Sequence, residues 1–69
     1  MPVSITTIYR HRLHALEQGS EIIVKRAGSP DLTGKFVKLS NDQLAIRCKE
    51  DNMVLPINYN DRVLLVERT

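Results

Sequence analysis

The chain has 69 residues, 42% of them hydrophobic and 26% charged, and a formal net charge of +2. That composition is ordinary for a soluble globular domain, and the length gives one domain, residues 1–69, near the lower limit for a self-sufficient core. Cys48 is the only cysteine, so an intrachain disulfide is excluded, and His11 and His14 have no further histidine beside them to complete a zinc set.

Oligomerisation is the remaining common route to stability, and a homo-oligomer, with a ring as one form, is expected. The longest purely aliphatic run, residues 63–66, falls far short of a membrane span. No basic region followed by an apolar core opens the chain, so no signal peptide and no membrane association are expected. A free cysteine without such a signal suits a reducing cytoplasm. The small positive charge biases the chain toward anionic partners, a bias that a symmetric assembly would multiply.

Residues 1–4 read as an extended lead, with Pro2 opposing helix. Ser4, Thr6 or Thr7 can cap a helix over about residues 5–18, in which Ile5, Ile8, Tyr9, Leu13 and Leu16 form one apolar stripe and Gly19 supplies the end. Arg12 projects into that arc, so its guanidinium either snorkels past the contact or faces a partner. The opposite face carries Arg10, His11 and His14 with no acid before Glu17; it reads as a solvated basic face or as a phosphate-contacting rim.

Five strands are expected over about residues 21–68. Residues 21–26 have Ile22, Ile23 and Val24 at their centre, apolar on both faces. The loop at residues 27–31 leads into a bent hairpin, residues 32–49, turned by Ser40, Asn41 and Asp42. Phe36 and Leu32 lie on one face of its first arm and Val37 and Leu39 on the other, and Gly34 marks a bend or a close backbone approach. The second arm alternates Leu44, Ile46 and Cys48 against Gln43, Ala45 and Arg47. After a charged turn at residues 49–52, Met53, Leu55, Ile57 and Tyr59 alternate along a fourth strand, with Pro56 indicating an edge or a bulge. Residues 63–68 close the chain. A helix followed by five short, bent antiparallel strands describes a mainly β fold, a small open barrel with the helix capping one end.

The chemistry points away from catalysis. No nucleophile sits at a strand-to-helix elbow, and Gly19, Gly28 and Gly34 are too dispersed to form a phosphate loop. No enzyme activity, cofactor or metal is expected. Binding to single-stranded RNA is the better match, through stacking on aromatic groups and neutralisation of phosphates. The candidate RNA-binding residues read from charge and stacking are Tyr59, Arg12, Lys25, Arg47 and Arg62, to which the family resemblance given next adds Gln43 and Asn60. Tyr59 reads equally well as a half-buried strand residue with its hydroxyl in water. The alternative function is a protein-interaction or assembly module with the same barrel and no RNA role.

Leu13-His14-Ala15-Leu16, Leu32-Thr33-Gly34, Asp42-Gln43-Leu44-Ala45-Ile46 and residues 57–61 together resemble short stretches of the Sm-like family and its bacterial Hfq branch of RNA chaperones. Leu13-His14-Ala15-Leu16 is similar to the end of that family's helix, and Leu32-Thr33-Gly34 to its second-strand Leu-x-Gly. Asp42-Gln43-Leu44-Ala45-Ile46 is similar to its Asp-Gln-aromatic-Val-Ile, and residues 57–61 occupy the place of its Tyr-Lys-His motif. The resemblance implies an N-terminal helix, a five-stranded barrel, ring assembly through the last two strands, and a riboregulatory role. Leu44 stands where the family stacks a uridine, Asn60-Asp61 replaces Lys-His, and Glu17-Gln18-Gly19-Ser20 replaces an arginine-rich rim. Only Gln43 and Tyr59 keep the family's chemistry. A second likeness, carried by Gly19-x-x-Ile22-x-Val24, Leu32-x-Gly34 and Leu55-Pro56, is to small Sm-like domains of unknown function in Gram-positive bacteria, some linked to spore coats.

Overall fold

The segment Val3–Ile8, VSITTI, is β-branched everywhere except Ser4, a composition that suits a pleated strand and crowds a helix. It forms a strand. In the computed structural model, which describes residues 2–68, β1 (Val3–Ile8) leads into a short 3-10 helix, Arg10–Ala15. There follow β2 (Glu21–Lys25), β3 (Leu32–Lys38), β4 (Leu44–Cys48), β5 (Val54–Pro56) and β6 (Arg62–Arg68). Met1 and Thr69, the ends of the expected domain, lie outside the described residues. No helix among the described residues is long and apolar enough to cross a membrane.

Two expectations are corrected. The N-terminal helix over residues 5–18 is replaced by β1 and the 3-10 helix, and the sheet has six strands rather than five. The apolar stripe is divided between two elements: Leu13 is 2% exposed, while Ile5 and Tyr9 are 57% and 66% exposed. Ser4, Thr6 and Thr7 lie within β1, and the 3-10 helix starts after Tyr9 with no side-chain cap. Gly19, at φ 92°, turns the chain toward β2 and donates its N–H to the Phe36 carbonyl at 2.8 Å.

All pairings are antiparallel, in the order β1-β6-β2-β3-β4-β5, and the sheet is open, with β1 and β5 at its edges. The registers Ile22↔Leu65, Ile22↔Gly34 and Phe36↔Ile46 align alternate residues on a common face. Ile22, Val24, Phe36, Leu44, Ile46 and Val63 are buried there, and Leu13 of the 3-10 helix packs with them. The 3-10 helix thus contributes Leu13 to the core in place of the expected capping helix.

The hairpin forms with its faces as read from the alternation: Phe36 is fully buried, Val37 half-buried and Leu39 exposed. A Cβ on Gly34 would lie 1.9 Å from the Arg47 carbonyl oxygen, so this position admits only glycine without movement of β4. The fourth expected strand is shorter than its alternation. Only Val54–Pro56 pairs with β4, and Tyr59 lies beyond it, 79% exposed in the connection to β6.

Pro56 sits on an edge strand without weakening it. Ile57 donates to the Leu44 carbonyl at 2.9 Å and Cys48 to the Met53 carbonyl at 2.8 Å. Ala45 and Pro56, paired between those contacts, form a non-hydrogen-bonded pair, so the missing proline N–H falls on the outer side of β5. The proline carbonyl there accepts from Arg26 Nη2.

Candidate nucleic-acid interface

The connection between β5 and β6 is fastened from beneath. Arg26, just past the end of β2, donates from Nε to Asp61 Oδ2 at 2.9 Å. The same oxygen accepts the Asn58 N–H at 2.8 Å, and the Asp61 N–H returns to the Asn58 carbonyl at 3.1 Å. The Asp61 side chain is 6% exposed, so its charge is spent inside the turn and does not face solvent. With both ends of the turn held, Tyr59 and Asn60 point outward.

The 3-10 helix brings the second part of the site. Arg10, at its first position, donates from Nη1 to the Asn58 carbonyl at 3.2 Å, and its guanidinium carbon lies 4.6 Å from the centroid of the Tyr59 ring. Tyr9 and His11 stack at 6.2 Å between centroids with planes 8° apart. Between these groups and the end of β1 runs a cleft of about 430 Å³, lined by Thr7, Tyr9, Arg10, Asn60 and Arg62 among others. It offers flat aromatic and guanidinium surfaces, one amide and two arginine charges, with the Asp61 carboxylate, held by Arg26, also in its wall. That set can hold a base by stacking and a phosphate by charge.

Of the candidates read from the sequence, Asn60 and Arg62 line this cleft, and Tyr59 stands beside it through its contact with Arg10. Lys25 is Arg62's partner in register, and its Nζ lies 3.8 Å from Asp31. Arg12 is exposed on the 3-10 helix, and Gln43 is exposed in the β3–β4 connection, where its carbonyl accepts from the Leu39 and Ser40 N–H groups; neither lines the cleft. Arg47 lies on β4 in a separate recess of about 320 Å³, with Glu21, Lys35, Lys49 and Arg68. Tyr9 is a contributor that the sequence reading lacks, and Arg10 is read there only as part of a basic face or rim, without its contact to Tyr59. The helical stripe assigns Tyr9 to a core, and nothing in the local spacing links Arg10 to Tyr59, 49 positions further along.

Three groups lining the Arg47 recess have shifted ionisation, the Arg68 guanidinium being raised by its hydrogen bond to Glu21. The Arg68 guanidinium, hydrogen-bonded to Glu21 at 2.8 Å, holds that carboxyl below its usual range. Burial pushes the Cys48 thiol up, with Asp51 and Glu50 adding to the rise. Leu44, at the position of the resembling family's stacking aromatic, is 7% exposed and belongs to the core. Comparison of the chain with protein-family models, with curated proteins and with solved structures finds no match.

Proposed function

We propose that this is a small, non-catalytic Sm-like module that binds single-stranded RNA as a riboregulator or RNA chaperone. The observation that carries the reading is the Arg10–Tyr59 stack, held by Asn58 and Asp61 at the mouth of a cleft that Asn60 and Arg62 also line. Leu44 is committed to the core, so in this reading base stacking passes to Tyr59 and Arg10. Phosphate neutralisation falls to Arg62 and to Lys25 beside it. The Sm-like assignment itself rests on the short sequence likenesses and on the antiparallel order β2, β3, β4, β5 with β6 returning beside β2.

Fluorescence anisotropy with a labelled oligouridine tests it. Binding is expected at low salt and to weaken as salt rises, because cations of the site displace counterions from the strand. Tyr59→Ala is expected to weaken binding about 5- to 100-fold, the scale of one lost base–aromatic stack. Absence of binding at low salt overturns the reading.

A specific observation favours a second reading, an assembly module. The outer edge of β1 is uncharged and displays Val3 at 46% and Ile5 at 57% exposure. A strand of a second copy could add there through main-chain hydrogen bonds. Absolute mass in solution, with the nucleic-acid absorbance ratio read on the same peak, separates the two: an oligomer free of nucleic acid that also fails the anisotropy test supports assembly alone.

A further inference from the structure

A second basic constellation lies at the far end of β6 from the Tyr59 cleft. On the sheet face opposite the core, Glu21 pairs in register with Lys35, and Lys35 with Arg47. Beyond that ladder the Lys49 N–H donates to the Thr33 carbonyl at 2.8 Å, which brings a third cation to the same end. Arg68 closes the group from β6, its guanidinium on Glu21 at 2.8 Å. These residues line a recess of about 320 Å³, with the Gly34 backbone also in its wall.

The charge count is uneven. Four cations surround one carboxylate, and that carboxylate is taken by Arg68. Lys35, Arg47 and Lys49 have no ion pair or side-chain hydrogen bond among the described residues. Glu50 and Asp51 lie in the adjoining turn and Glu67 stands next to Arg68 on β6, and Asp51 Oδ1 is engaged by the Met53 N–H at 3.1 Å. Like charges directly opposite each other across strands destabilise a sheet, and Lys35 faces Arg47 in that way. A multiply charged anion relieves this opposition. A single carboxylate would leave most of it, while a phosphate offers several oxygens to the arginine fork and to the lysine ammonium groups at once.

We propose that this recess binds the phosphate class of ligand, supplied either by a nucleic-acid strand or by a free inorganic polyphosphate. It is independent of the stacking cleft: Arg62 and Arg68 stand at opposite ends of β6, about 20 Å apart at the rise of a strand. Failure of either reading leaves the other standing.

The test is an amide-resolved NMR titration with inorganic tripolyphosphate at low salt, run beside short oligouridines with and without a 5′-phosphate. Tripolyphosphate is expected to shift amides centred on residues 33–35 and 47–49. Lys35→Gln and Arg47→Gln are each expected to weaken its binding about ten-fold, the scale of losing hydrogen bonds to a charged group. Lys38→Gln removes the same charge elsewhere, from a side chain that donates to the His14 carbonyl, and is expected to leave the affinity unchanged. Arg47→Gln also removes the like-charge opposition, so an unchanged or higher melting temperature separates lost binding from lost folding. Recess shifts with only the 5′-phosphorylated oligouridine assign a terminal phosphate, and shifts with both oligouridines assign the strand backbone. Shifts with tripolyphosphate alone assign a free polyanion. No shift at these amides with tripolyphosphate, or equal weakening in Lys38→Gln, overturns the site.

Discussion

Gly34 shows how much a single position can impose on this sheet. Its missing side chain lets the Arg47 carbonyl approach where a Cβ would lie 1.9 Å away, and that obstacle is backbone, which cannot rotate aside. Gly34→Ala is expected to lower stability by about 1–3 kcal/mol or more, as forced backbone shifts do, read as a fall in the urea midpoint. A midpoint equal to the parent's would mean that the two arms are not so close. The close approach was legible beforehand, because a glycine inside an alternating arm has few other uses. Asp61 was not legible in the same way. Its neighbours in sequence describe only a turn, and its partner Arg26 is 35 positions away. Asp61→Ala strands the Arg26 guanidinium and the Asn58 N–H, so a loss of about 1–3 kcal/mol is expected in the same denaturation experiment. The variant should also weaken oligouridine binding, since the turn that presents Tyr59 loses its anchor.

At the scale of elements, period alone misassigned the N-terminal segment. Ile5, Ile8, Tyr9, Leu13 and Leu16 match a helical stripe, yet only Leu13 is buried: Ile8 at the end of β1 and Leu16 after the 3-10 helix pack against the core in part, and Ile5 and Tyr9 are exposed. The β-branched run from Val3 to Ile8 was the competing signal, and cross-strand pairing with β6 decided in its favour. The hairpin and β2 were legible because alternation and burial agree there. The Arg10–Tyr59 contact was hidden, since it depends on how two connections meet rather than on any local pattern. The outer ends of β2 and β6 are joined by Glu21 and Arg68, and this link carries a pH signature. Glu21 is held below the carboxylate's usual value of 4.5, first by its hydrogen bond to Arg68. A depressed folded-state value stabilises the fold above the unfolded value, and the contribution is lost as pH falls through the folded one. Arg68→Gln is therefore expected to melt below the parent at neutral pH, with the gap closing as the solution is acidified below about 4.5. A gap that persists unchanged into strong acid would assign Arg68 a packing role instead.

For the whole molecule, the decisive feature is which sheet edges remain open. β6 lies between β1 and β2, so both its sides are occupied within the chain, and pairing of a neighbour's strand to β6 requires β1 to leave. At the other end, β5 is three residues long, lacks the outward N–H of Pro56, and has the outward Pro56 carbonyl engaged by Arg26. Such an edge is poorly suited to accept another strand. β1 has the opposite character, being six residues long and uncharged with two exposed aliphatic side chains. Self-association by strand pairing is therefore expected to join β1 to β1 about a two-fold axis, making a closed dimer rather than a ring. Light scattering over a concentration series is expected to rise from the chain mass of 7.9 kDa toward twice that value. Ile5→Lys places a charge on the exposed face of β1 and should hold the mass at the single-chain value, with stability changed by only about 0.5 kcal/mol because the side chain is already in water. Val54→Lys on the blunted β5 edge should leave association intact. A parent mass that stays at 7.9 kDa at every concentration, or an Ile5→Lys variant that associates as before, would remove β1 as the meeting edge.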